Sequence, residues 1–155
     1  MHRFVLLTVV TCLGCGGSAG LESDGSKLYP VTAIVTVDGK PESGVSVTLV
    51  PKDTKDSAGG VGGGGASGAD GKVVFRNRDG REGMPAGTYS ALINWVRLPD
   101  GGPVPPDAMP ESVGARNLLS KEFESPDTTP YTVIVTEGEN EPVKLEVTRA
   151  GGRKK

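Results

Sequence analysis

Few residues of this chain have the types and spacing to do chemistry, and most sit where a simpler role also explains them. His2 is its one histidine, and it lies near the N-terminus with Cys12 and Cys15, the only two cysteines. Cys12-Leu13-Gly14-Cys15 spells C-x-x-C, a spacing found in redox and zinc sites, but no second Cys or His pair accompanies it. Arg76, Arg78 and Arg81 have the forked donors that grip an anionic glycan or phosphate. Asp79 and Glu82 are interleaved with them, so a neutral, ion-paired loop is the competing reading. Asp53 with Asp56, and Glu137, Glu139 and Glu141, carry oxygens of the kind a hard cation takes. They also read as solvated turn charges, and neither a metal nor another cofactor is expected. Tyr89 and Trp95 are either a sugar-stacking platform or core, in a chain with only 5% aromatics; large aromatics are more often buried. Gly60, Gly62 and Gly65 fit G-x-G-x-x-G only because a glycine run satisfies that spacing trivially, and no helix follows to meet a phosphate. Gly71-Lys72 is no P-loop either, since Ala66 and Val73 stand where a Gly and a Ser or Thr are required.

The N-terminus differs in kind from the rest. His2-Arg3 precedes the apolar stretch Phe4 to Val10 and then Leu13-Gly14-Cys15, the pattern of an export signal. It is too short to span a bilayer, which takes about 20 apolar residues. Cys12-Leu13-Gly14-Cys15 followed by Gly16-Gly17 resembles a bacterial lipoprotein box, where a small residue precedes the Cys that is lipidated and becomes the new N-terminus. The resemblance implies lipid attachment at Cys15 and anchoring to a membrane, because two or more acyl chains hold firmly. His2 and Cys12 leave with such a leader, so the mature domain has no imidazole base, relay or ligand and no internal disulfide. The expected divisions are a signal peptide over 1–14, a lipid-anchored tether over 15–29, one domain over 30–149 and a basic tail over 150–155. Gly, Ser, Asp and Glu dominate the tether, too polar to pack.

Length and composition define the body. A chain of 155 residues suits one domain with flexible ends. Its 24 Gly, 12 Pro and few aromatics require a core of Val, Leu and Ile with much chain in turns, which favours a small all-β domain. A formal charge of -2 makes no field suited to nucleic acid.

The strongest strand signal lies at the start of that body. Val31 to Val37 is β-branched throughout except Ala33, and such residues favour a pleated surface. Val45, Val47 and Leu49 alternate with Ser46 and Thr48, giving one dry face and one wet. Asp38-Gly39-Lys40-Pro41 between them predicts a hairpin joining the two runs. The glycine-rich stretch from Pro51 to Gly65 predicts a mobile loop, since glycine loses most entropy inside an element. Phe75 is a core candidate. Tyr89, Ala91, Ile93 and Trp95 share one face of a long strand over Thr88 to Val96. Arg97 to Pro130, rich in Pro, is a long excursion, with a short helix expected around Val113 to Phe123 that turns Leu118, Leu119 and Phe123 inward. Two strands close the domain, with Tyr131, Val133 and Val135, then Val143, Leu145 and Val147, on their dry faces.

Ile34 to Pro41, Gly44 to Pro51, Ser67 to Val73 and Pro85-Ala86-Gly87-Thr88-Tyr89 together resemble the carboxypeptidase regulatory-like domain. Phe123, Ser125-Pro126, Thr129-Pro130-Tyr131, Val133 to Val135 and Gly138-Glu139-Asn140 resemble the end of its short lipoprotein members in bacterial envelopes. The resemblance covers about Val31 to Thr148. It implies a transthyretin-like, seven-stranded Greek-key β-sandwich with an accessory or binding role and no catalysis of its own. The acidic residue usual near Gly68 is missing, which removes the basis for a calcium site at Asp70. A purine-pathway hydrolase shares that fold, but its His and Arg set and C-terminal tetrapeptide are not recognisable here. The expected function is therefore a non-enzymatic, monomeric lipoprotein of the cell envelope, held to a membrane by its lipid and acting as a structural or protein-interaction module. Its partner is an envelope protein or a glycan, and the alternative function is a carbohydrate-binding module. Cys15 is the lipid site; Arg76, Arg78, Arg81 and Trp95 are the candidate interaction residues.

Overall fold

The computed structural model describes residues 27–52 and 62–151. Among them the only regular elements are strands and two short 3-10 turns. β1 (Thr32–Val37) is central to the first sheet. β11 (Val143–Val147) runs parallel along one edge of it, and β5 (Lys72–Val74) and β2 (Lys40–Pro41) pair antiparallel along the other. The second sheet is antiparallel throughout. Its order is β10 (Thr132–Val135), β7 (Gly87–Asn94), β3 (Ser46–Pro51), β4 (Gly63–Ala66) and β6 (Arg76–Asn77). A separate ribbon pairs β8 (Val96–Arg97) with β9 (Arg116–Asn117).

The alternation read from the sequence is the alternation of burial. Val35, Val37, Val45, Val47, Leu49, Phe75, Tyr89, Ala91, Ile93, Val133, Val135, Leu145 and Val147 all join one core between the sheets. Each fully buried Val, Leu, Ile or Phe side chain among them contributes roughly 1.5–3 kcal/mol. Tyr89 keeps its ring in that core while its hydroxyl donates to the Pro85 carbonyl at 2.9 Å, as a buried tyrosine must.

Four expectations are corrected. The runs Val31–Val37 and Val45–Val50 do not form a hairpin with each other, because β1 and β3 lie in opposite sheets. Asp38 (φ 51°) and Gly39 (φ 80°) make the two-residue turn, with positive φ at both positions as hairpins prefer, but it closes β1 only onto β2. Pro41 then ends the ladder, and Gly44 (φ 70°) helps carry the chain across. The glycine-rich stretch is not all loop: Gly63, Gly64 and Gly65 are strand residues pairing with β3, and Gly63 and Gly64 also pair with β6. A Cβ on Gly63 would sit 2.3 Å from the Arg76 carbonyl oxygen and 2.5 Å from Met84 Sδ, and one on Gly65 2.5 Å from the Val74 carbonyl oxygen. Only a bare backbone fits there, so close packing outweighs the entropy that disfavours glycine in strands. The helix over Val113 to Phe123 is replaced by a 3-10 turn at Pro110–Val113, β9, and a second 3-10 turn at Lys121–Glu124. Gly114, left-handed at φ 68°, stops the first turn; Leu119 and Phe123 are buried all the same, while Leu118 is half-buried. Finally, Tyr29, assigned to the tether, is 7% exposed and pairs with Met84. Gly83 (φ 100°) permits that approach, its Cβ position lying 2.8 Å from the Tyr29 carbonyl oxygen.

Candidate functional site

The end of the core reached by Trp95 gathers two guanidiniums around an indole whose backbone is held by an asparagine. Trp95 follows β7, and its backbone N–H donates to Asn117 Oδ1 at 2.8 Å while its indole Nε1 donates to the Ser43 carbonyl at 3.2 Å. It is only 5% exposed, so it offers no flat face to a sugar, and the stacking-platform reading of Trp95 and Tyr89 fails here. Its role is that of a hub. The guanidinium of Arg97 lies 5.0 Å from its ring centroid and that of Arg149 5.1 Å, within the range where cations are attracted by the ring face.

These two guanidiniums are held differently. Arg149 pairs with Asp38 at 3.4 Å and Glu42 at 3.8 Å. Arg97 donates from Nη2 to the Ser43 carbonyl, while its Nε is buried with no acceptor among the described residues. Arg116 stands directly opposite Arg97 on the ribbon. Neither has a carboxylate partner among the described residues. A cleft of about 350 Å³ opens beside them, lined by Arg97, Leu98, Pro99, Gly101, Gly114, Arg116 and Leu118. Asn117 holds the ribbon to the body: its Oδ1 also accepts from the Leu119 N–H at 3.3 Å, and its Nδ2 donates to Asn94 Oδ1 at 3.2 Å and Glu124 Oε1 at 2.7 Å.

The three arginines singled out in the sequence lie elsewhere. Arg76 meets Glu82 at 4.0 Å and Arg81 meets Asp79 at 3.6 Å, which is the ion-paired loop. Asn77 shapes the turn, its Oδ1 accepting from the N–H groups of Asp79 at 3.1 Å and Arg81 at 2.9 Å. Arg78 is exposed without a carboxylate partner among the described residues. Cys15, the signal peptide, the tether through residue 26, Asp53, Asp56 and the tail from 152 lie outside the described residues. No group of three or more His, Cys, Asp or Glu positioned for a metal occurs among the described residues, and no helix among them is long and apolar enough to cross a membrane. Comparison with protein-family models, curated proteins and solved structures found no match.

Two further features mark the flank formed by the last strands. Tyr131 stacks on Phe123, ring centroids 6.0 Å apart, and its hydroxyl donates to the Glu146 carbonyl, tying β11 to the segment before β10. Burial pushes its pKa above the usual 10.0, and the carboxylates of Glu146 and Glu122 push the same way. Ile134 is 63% exposed on β10, the outer strand of its sheet. Sequence reasoning missed Arg97, Arg116 and Arg149 as a group, because they come from separate segments and share no spacing.

Proposed function

We infer that this chain is an exported, lipid-anchored and non-catalytic lipoprotein of the cell envelope, a transthyretin-like Greek-key β-sandwich of the carboxypeptidase regulatory-like kind. It acts as a monomeric structural or protein-interaction module, and the excursion from Arg97 to Pro130 is the surface it presents. The observation that carries this reading is the contrast between core and excursion. Inner-face side chains of both sheets are enclosed in one core, whereas the excursion exposes Met109 at 74% and shapes the cleft beside Arg116. Rigid scaffolds carry function on such loops. Strand addition at β10 is disfavoured, because Asn140 Oδ1 accepts from the Thr136 N–H at 2.8 Å and its Nδ2 donates to the Thr136 carbonyl at 3.1 Å. That clip covers part of an edge already short.

A photo-crosslinking residue placed at Met109 or at Lys144, on the outer face of the first sheet, tests the reading in native envelopes. A discrete adduct from position 109 and none from 144 is expected; adducts from both or neither would refute the assigned surface. Mass spectrometry of the native N-terminus tests the anchor: an acylated Cys15 is expected, with membrane recovery lost in Cys15→Ala, and an unmodified thiol ends the lipoprotein assignment.

A further inference from the structure

We propose that the cleft beside the β8–β9 ribbon binds a phosphate group, free or as a small phosphomonoester, on the guanidiniums of Arg97 and Arg116. This goes beyond the interaction role inferred above and does not depend on it.

Charge is the first ground. Arg97 and Arg116 are direct cross-strand partners, so their side chains leave the ribbon on the same face. Like charges placed directly opposite destabilise a strand pair. Among the other arginines of the described residues, Arg149 pairs with Asp38 and Glu42, Arg76 with Glu82 and Arg81 with Asp79, and Arg78 alone has no carboxylate partner. Beside Arg97 and Arg116 no carboxylate among the described residues lines the cleft. Two uncompensated guanidiniums match a dianion, and a phosphate monoester carries nearly two charges near neutral pH, with its second pKa at about 6. A carboxylate would leave one positive charge over.

Donor geometry is the second. The Arg97 guanidinium is fixed against Trp95 and by its bond to Ser43, which lowers the ordering cost of using its remaining N–H donors. The Arg97 Nε is buried without an acceptor among the described residues, so a ligand in the cleft would meet the terminal nitrogens of the fork and not Nε. Arg116 is exposed and reaches the cleft from the partner strand. A guanidinium fork suits phosphate oxygens.

Size is the third. About 350 Å³ is more than an inorganic anion fills and falls within the range of small-ligand sites. Leu98, Pro99 and Leu118 give the cleft apolar walls. Gly101 (φ 85°) and Gly114 (φ 68°) line it without side chains to crowd an organic group.

The test is a titration of the full chain, 15N-labelled, with inorganic phosphate, glycerol 3-phosphate and acetate, read by NMR. Saturable shifts at the Gly101, Gly114 and Arg116 amides and the Trp95 indole are expected with both phosphates, weakening as salt is added, and no comparable response to acetate. Tighter binding of glycerol 3-phosphate assigns the ester; equal or weaker binding assigns free phosphate. Arg116→Ala, an exposed site whose loss spares the core, should weaken binding about tenfold or more. Arg116→Lys should retain part of it, and Arg76→Ala should change nothing. The proposal is overturned by absence of saturable shifts, by an equal response to acetate, or by unchanged affinity in a folded Arg116→Ala chain.

Discussion

Two groups of three arginines occupy this molecule, and they behave in opposite ways. Arg76, Arg78 and Arg81 lie within six consecutive residues, and two of them find acidic partners in the same turn. Arg97, Arg116 and Arg149 are dispersed along the chain, yet the fold brings all three to one end, where Arg97 and Arg149 flank the only Trp. A cluster in sequence reaches counter-ions locally, and Arg76 and Arg81 become ion-paired structure while Arg78 stays exposed. A cluster made by folding meets whatever the fold provides, and among the described residues that is two carboxylates for Arg149 and none for the facing pair.

The comparison can be broken most sharply at the hub of the second group. Trp95→Ala should cost about 3–5 kcal/mol, the range for removing a buried large aromatic, and denaturant unfolding reads it as a lower midpoint. Arg78→Ala, in the first group, should stay within about 0.5 kcal/mol in the same assay. Beneath the first group, Gly63→Ala should cost roughly 1–3 kcal/mol through overpacking, because the added methyl meets the Arg76 carbonyl and Met84; thermal unfolding checks it. Asn117→Ala strips the acceptor from the Trp95 and Leu119 N–H groups. Its expected cost is about 1–3 kcal/mol, with faster amide exchange at residues 95 and 119 and little change at Arg76 or Arg81. The smallest effect is one of pH. Tyr131 has a raised pKa in the folded chain, so the folded state holds its phenolic proton longer than the unfolded one. Stability is unaffected below the ordinary value of 10.0 and falls as pH rises from there through the raised value. Tyr131→Phe should flatten that alkaline decline, as followed by circular dichroism.

Sequence patterns exposed one level of this fold and hid another. The inward faces of β1, β3, β7, β10 and β11 were legible because a period of two separates dry from wet along each strand. Which sheet a strand joins was not, since Val47 alternates with Ser46 in the same way whether its neighbour is β1 or β7; the crossing after Pro41 is a long-range choice. The glycines of β4 misled because propensity weighs their entropy but not the approach of Arg76 and Val74 that excludes every other residue. The helix expected near Leu118 lost to Asn117, whose side-chain bonds hold that segment extended. At the candidate site, Trp95 was legible as an important aromatic. The arginines around it were not, because no local spacing encodes a meeting of β8, β9 and the residue just past β11.

The parallel pairing of β1 with β11 has a consequence for biosynthesis. Of the described strands, the central one of the first sheet is made first and its parallel neighbour last. Until Val143–Val147 has been synthesised, Thr32–Val37 presents a bare, β-branched edge, of the sort that recruits other chains. A product truncated before that point cannot close its first sheet.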